Sequence, residues 1–327
     1  MGGTPGVTHT TAVIQSTLYT VGVNTVRPPG TLSSGSLRRP LSLAEETRAI
    51  LRGYRVRTKD QLGQNFLIDR EALDFIVRAA NPLPGSQVLE IGAGIGTLTL
   101  ALSQTGARIH ALELDAEMVR ICADRTAGLE NVQVHEGNVL HTDLADILEV
   151  RQPFMVVANI PYYITAPILR LFLEGPYQPT SLILMVQKEV GERLAALPGE
   201  MSALTVFAQV LARIEVLRRV PPSSFMPAPE VESAIVRLRV HETPIIPRPD
   251  HPFLFRVVKA GFSAKRKMIH NSLNRGLPNS GEVIDAALSS ARVDRSRRAE
   301  TLSIEEWRAL SLALRTDHEH TPKDQRL

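Results

Sequence analysis

Short apolar runs punctuated by glycine and proline fill the middle of the chain, and apolar positions at helical spacing fill its end. Gln87 to Gly92, led by Pro84-Gly85-Ser86, predicts a buried strand, and Thr97 to Leu102 the first turns of a helix after it. Ala107 to Asp115 and Val132 to Asn138 predict the next two strands. Phe154 to Asn159, bounded by Pro153 and Pro161, is continuously apolar up to its last residue, as suits a parallel sheet covered on both faces. Ser233 to Val240 predicts the last strand of that sheet. Ahead of them, Leu41 to Tyr54 reads as a first helix with Ser42 as N-cap and Glu45 three residues on. After the proline-rich breaker Glu242 to Pro252 the period turns helical: Phe253, Val257, Val258 and Phe262, then Ile269 and Leu273, then Ile284, Leu288, Ile304, Trp307 and Leu310. Trp307 is expected to anchor this helical core.

The first forty residues show no sustained period and are rich in Ser, Thr, Gly and Pro, which predicts disorder. The expected organisation is an extension over 1–40, a sheet-bearing segment over 41–243, a small all-helical segment over 253–316 and a tail over 317–327.

The glycine turn carries the first chemistry. Glu90-x-Gly92-x-Gly94-x-Gly96 sits between a strand and a helix N-terminus, where glycine permits a tight turn and close ligand approach. Thr97 stands where a dinucleotide fingerprint would place its last glycine. Glu113 ends the next strand about 20 residues on, where a carboxylate can accept from both ribose hydroxyls. Glu90 suits a cationic sulfonium and ammonium ligand better than a pyrophosphate. The competing readings are an ordinary tight turn and a nicotinamide site. Gly92, Glu113, Asn138 and Asn159 all fall at carboxyl ends of predicted strands, where open α/β sheets bind ligands.

Asn159-Ile160-Pro161-Tyr162 carries the second. An exocyclic amino group on a nucleobase is a poor nucleophile, because its lone pair is delocalised into the ring. Two acceptors on its two N–H bonds favour a pyramidal nitrogen with the lone pair free to attack. The Asn159 side-chain oxygen offers one acceptor, and a carbonyl in the turn shaped by Pro161 offers the other. Tyr162 offers a ring on which an extruded base can stack. The competing reading is an Asn that caps a turn, with Tyr162 as core filler. Read together, the two motifs point to methyl transfer from S-adenosylmethionine to an exocyclic nitrogen.

These residues resemble the ribosomal small-subunit adenine dimethyltransferases, the KsgA/Dim type. The resemblance starts at Gln61-Leu62-Gly63-Gln64-Asn65-Phe66-Leu67 and runs through Glu90 to Gly96, Glu113, Asn159 to Tyr163 and Met185 to Val190. It continues in Pro221 to Pro229 and ends with Phe262 to Lys267 and Asn271-Ser272-Leu273. It implies a class I methyltransferase fold, a Rossmann-like seven-stranded α/β sheet with a small C-terminal helical domain. It implies dimethylation of N6 on two adjacent adenines in the 3′-terminal hairpin loop of small-subunit rRNA during ribosome biogenesis. By position, Asn65, Leu67, Gly92, Glu113, Asn138 and Asn159 would line the S-adenosylmethionine site. Asn159, Pro161 and Tyr162 would hold the target base, with Phe225 packing beside Tyr162. The family usually carries Asp where this chain has Asn138, a departure expected to cost about 1 kcal/mol of cofactor affinity. Two alternatives stay open: a relative that modifies large-subunit rRNA, and a non-catalytic assembly or transcription factor on the same fold.

Composition adds partners and exclusions. The single cysteine, Cys122, rules out a disulfide framework and a cysteine-based zinc site, and the nine His show no metal spacing. His110 and His135 read as strand residues. No run of 18 apolar residues appears, so no membrane span is expected. Residues 251–327 carry 14 basic against nine acidic side chains within a chain of net charge +3. Lys265, Arg266 and Lys267, with Arg295, Arg297 and Arg298, are the candidate contacts to RNA phosphates, a solvated helix face being the alternative. The expected state is a cytoplasmic monomer acting on a partly assembled 30S-type particle. An acid-poor N-terminus with only three arginines gives weak support to an organelle address.

Overall fold

The computed structural model describes residues 39–56, 64–264 and 266–320. The expected disorder of the extension, the start of the Gln61-Leu62-Gly63 block, Lys265 and the end of the tail lie outside the described residues, except for the last two residues of the extension.

Helix α1 (Leu43–Gly53) opens with the expected capping box: Glu45 N–H donates to Ser42 Oγ at 3.3 Å, and the Glu45 carboxylate accepts from Ser42 N–H at 2.8 Å. A two-residue strand β1 (Phe66–Leu67) leads into α2 (Arg70–Ala80), capped by Asp69. Three strand-helix units then alternate: β2 (Gln87–Ile91), α3 (Thr97–Ser103), β3 (Arg108–Glu113), α4 (Ala116–Thr126), β4 (Val132–Glu136) and, after a long connection, β5 (Phe154–Asn159) with α5 (Thr165–Glu174). Strand β6 (Ser181–Gln187) is followed by α6 (Lys188–Leu194) and α7 (Ala203–Leu211), then β7 (Ala212–Val220), the short β8 (Phe225–Met226) and β9 (Ser233–Val240).

The seven long strands form one sheet in the order β4-β3-β2-β5-β6-β9-β7. The first five are parallel, and β9 runs antiparallel to both β6 and β7. The chain leaves β2 toward β3 on one side and returns to β5 on the other, so β2 and β5 flank the topological switch. Strand β2 is buried throughout, which accounts for its continuous apolar run. Alternation sends Val88, Val157, Ile183 and Met185 to one face, against α2 and α3. It sends Leu89, Ile91, Val156, Ala158, Leu182 and Leu184 to the other.

That second core does not stop at the sheet. It runs on through α7 into α8 (His251–Gly261), α9 (Ile269–Gly276), α10 (Gly281–Ser290) and α11 (Ile304–His320). Trp307 is fully buried there, stacked on Phe262 at 5.6 Å between ring centroids. Gly261 makes room for it: a Cβ at that position would stand 2.5 Å from the indole. His110 and His135 lie on β3 and β4 as expected, their rings stacked at 5.7 Å.

Candidate active site

A cavity of about 500 Å³ opens at the carboxyl ends of β2, β3 and β5, beside the switch. Gly92 and Gly94 line it, and with Gly96 behind them they hold the turn at φ of +74°, +55° and +79°. Two of these positions show why glycine is needed. A Cβ on Gly92 would lie 3.4 Å from the Asn159 carbonyl oxygen, and one on Gly96 would lie 3.0 Å from Cys122 Sγ, both at left-handed backbone. The turn therefore presses against the Asn159 segment on one side and α4 on the other.

Glu113 is locked by three backbone donors. Gly94 N–H donates to its Oε2 at 2.8 Å, and Leu114 and Asp115 N–H donate to its Oε1 at 2.8 and 2.9 Å. The carboxylate is thereby tied to the glycine turn and keeps lone pairs for a ligand. Asn138 holds its own turn: its Oδ1 accepts from Leu140 N–H at 3.0 Å.

Glu90 was read in the sequence as a charge beside the loop. It is fully buried in the wall of the cavity. Burial pushes its carboxyl up to about 8, the nearby Glu113 adds to this, and hydrogen bonding to Thr99 opposes it. Its Oε2 has no hydrogen-bond partner. A buried carboxyl with an unpartnered oxygen is compensated well by a cationic ligand, which would draw off its proton.

Asn159 is oriented across the fold. Its Nδ2 donates to the Asn65 carbonyl at 3.3 Å, so Oδ1 is the free end of the amide. Tyr162 lines the same cavity, its hydroxyl 2.7 Å from the buried Ser233 Oγ. Burial raises the Tyr162 phenol, which stays protonated and serves as a fixed ring. Pro161 opens a short 3-10 turn and its carbonyl accepts from Ile164 N–H at 3.2 Å.

Asn65, Leu67, Gly92, Glu113, Asn138, Asn159, Pro161 and Tyr162 thus converge on one cavity. Phe225 does not. It pairs with Leu67 across β1 and β8, is 3% exposed, and packs into the core with Val220 and Ile235. In this structure the ring is an anchor of its loop, and its burial there is what full removal of a large apolar ring from water favours. The same loop is tied to the cavity's entrance strand: Ser224 Oγ donates to Asp69 Oδ2 at 2.8 Å, and Ile68 N–H to the Ser224 carbonyl. Tyr163, which the sequence motifs leave without a role, lines the cavity and is 63% exposed. An exposed ring next to a proline turn was the signal available for it. Arg266 and Lys267 are exposed on the segment between α8 and α9, away from the cavity lining. Among the described residues no cluster of three or more metal-ligating side chains occurs, and no helix is long and apolar enough to cross a membrane.

The strand order, the glycine turn and the single antiparallel strand β9 define a class I methyltransferase with a helical C-terminal region. The family model of ribosomal RNA adenine dimethylase matches residues 55–315, and the chain belongs to that family. It is 39% identical over 272 residues to the ribosomal RNA small subunit methyltransferase A of Alkaliphilus metalliredigens, covering 81% of this chain and 95% of the relative. It is 40% identical over 283 residues to the protein of the same name from Bacillus mycoides, covering 84% and 97%. Among solved structures, a dimethyladenosine transferase from Plasmodium falciparum matches with a TM-score of 0.68 at 25% identity, over 77% of this chain and 98% of that one. The 23S rRNA methyltransferase ErmE matches at 0.64 and 29% identity, over 77% and 100%. The chain is an adenine-modifying methyltransferase of ribosomal RNA.

Proposed function

We propose that the protein transfers methyl groups from S-adenosylmethionine to N6 of two adjacent adenines in the 3′-terminal hairpin loop of small-subunit rRNA. The carrying observation is the Asn159 amide, whose Nδ2 is committed to the Asn65 carbonyl, leaving Oδ1 as the acceptor end of a side chain that lines the cavity with Glu113 and Gly92. The cofactor, when bound, supplies an electrophilic methyl group on a sulfonium. Glu90 and Glu113 suit its cationic and ribose parts, Asn138 its adenine, and Asn65 and Leu67 close the entrance side.

Asn159 Oδ1 and the Ile160 carbonyl accept the two N–H bonds of the target amine, the Pro161 carbonyl being already taken by Ile164. The amine is held pyramidal with its lone pair toward the methyl group. Tyr162, anchored through Ser233, supports the base from below. Orientation and fixed dipoles lower the barrier, and no strong general base is required. The segment 41–243 carries this chemistry, and 253–316 reaches rRNA within a partly assembled particle, Arg266 and Lys267 among its contacts. The protein works as a monomer in the cytoplasm.

The test is methyl incorporation into small and large subunits from cells that lack adenine dimethylation, read by nucleoside mass spectrometry. Dimethyladenosine in small subunits alone is expected. Labelling of large-subunit RNA alone would move the protein to the group that ErmE represents, and no transfer would reject catalysis.

A further inference from the structure

A second cavity, of about 330 Å³, lies at the other end of β6. Arg78 and Asn81 from the end of α2, Ser181 and Ile183 from β6, and Arg237 and Arg239 from β9 line it. The register explains the grouping. Arg239 is paired with Ser181 on one side and Arg213 on the other, and Arg237 with Ile183 and Glu215. Residues in register share a sheet face, so four arginines and one carboxylate gather on the face that α2 partly covers.

The carboxylate does not balance them. Glu215 lies 3.4 Å from Arg213 and 3.6 Å from Arg237, so it is shared between the two. The C-terminal end of α2 adds roughly half a negative charge. The guanidinium groups of Arg78, Arg237 and Arg239 line the cavity without a side-chain hydrogen bond to a described residue, Arg237 keeping only its 3.6 Å ion pair with Glu215. The Arg237 Nε–H is buried and without an acceptor, although its side chain is only 21% exposed. Guanidiniums gathered without acceptors repel one another and lack the planar partner that their fork of donors matches best, a carboxylate or a phosphate.

We propose that this basic cavity binds the phosphate backbone of the RNA substrate at a point distant from the target base. Arg78 and Arg239 are exposed and Arg213 extends the row onto the edge strand, so the site is open along its length. Arg213, Arg239 and Ser181 sit on three neighbouring strands about 4.8 Å apart, a span wider than one phosphate and suited to consecutive phosphates of one strand. Ser181 and Gln187 are the two ends of β6, and Gln187 lines the methyl-transfer cavity. Six residue steps of about 3.3 Å place the two sites about 20 Å apart. The RNA is thereby gripped on one side of the sheet while a base enters at the other. This inference rests on the rRNA substrate proposed above.

The test uses the full chain and Arg78→Gln/Arg239→Gln, two exposed positions outside the methyl-transfer cavity. Binding to small subunits lacking dimethylation is measured across salt concentration, cofactor binding by calorimetry, and inorganic phosphate is titrated separately. The expected result is a salt slope smaller by about two, with cofactor affinity unchanged. An unchanged slope overturns the proposal. So does loss of inorganic phosphate binding with the slope intact, which would make this a site for a small anion. If the wild type binds no small subunit, the substrate reading falls first and this inference with it; wild-type binding with an unaltered slope removes this inference alone.

Discussion

Strand β6 ends in two polar sites whose unmet needs are opposite in sign. At its carboxyl end the cavity walls hold Glu90, a buried acid with an unpartnered oxygen. At its amino end three arginines, Arg78, Arg237 and Arg239, line a cavity to which no carboxylate contributes. Around the first site the groups that would carry the chemistry are tied down: Glu113 by three backbone N–H groups, Asn159 by Asn65, Tyr162 by Ser233. Around the second, side chains are exposed and share one carboxylate. Chemistry needs groups fixed to within fractions of an ångström, whereas a grip on a polyanion needs only charge within reach. The contrast predicts that substitutions at the carboxyl end change turnover or cofactor affinity, and those at the amino end change salt dependence.

The largest break in that contrast comes from Asn159→Ala. On the proposed mechanism it removes one of two acceptors for the target amine and leaves Glu90 and Glu113 in place. Turnover is expected to fall by on the order of 10²–10³ or more, with cofactor affinity within a few-fold of wild type. Methyl incorporation beside calorimetry checks both, and wild-type turnover would take Asn159 out of the mechanism.

Glu90→Gln comes next, and pH sharpens it. The carboxyl is raised from 4.5 to about 8 in the folded protein, so the folded state holds its proton more tightly than the unfolded chain. The resulting loss of stability is absent below about pH 4.5, grows as pH rises toward 8, and is constant above. Gln copies the protonated acid, so the variant without cofactor should melt higher than wild type at pH 8 and level with it near pH 4.5. A cationic ligand selects the ionised acid. Wild-type cofactor affinity should therefore climb between pH 6 and 8 with release of a proton, and the variant should bind about tenfold or more weakly with a flat profile. A wild-type profile already flat over that range would mean that Glu90 does not meet the cation.

Much of the carboxyl-end site is legible in the chain because its parts are local. The glycine turn, Glu113 and the Asn159–Tyr162 segment each sit at a strand tip that the apolar runs predict, and the strand tips of a parallel sheet converge. The burial of Phe225 was not legible, since an aromatic in a proline-rich loop looks the same in sequence whether it faces a cavity or the core, and its place opposite Leu67 comes only from the pairing of β1 and β8. The state of Glu90 was hidden for a similar reason, since burial depends on the helices laid over β2. The basic cavity could not be read at all. Arg78, Arg213, Arg237 and Arg239 come from three elements far apart in the chain and meet only through the antiparallel register of β6, β9 and β7.

The smallest effect is expected at Asn138, and there the structure sharpens what the family resemblance left as a simple departure. The Oδ1 of Asn138 already accepts the Leu140 N–H at 3.0 Å. With Asp in its place, one oxygen would keep that bond and the second would remain a full acceptor for the amino group of the cofactor's adenine. With Asn, the second atom is an NH₂, a donor turned toward a donor. Asn138→Asp should therefore tighten cofactor binding by about 1 kcal/mol, roughly fivefold, with little change in turnover at saturation. Calorimetric affinity equal to or weaker than wild type would place the Asn138 N–H on an acceptor nitrogen of the adenine ring instead, so that the amide reads the base through its donor and this chain binds the same ligand by a different edge.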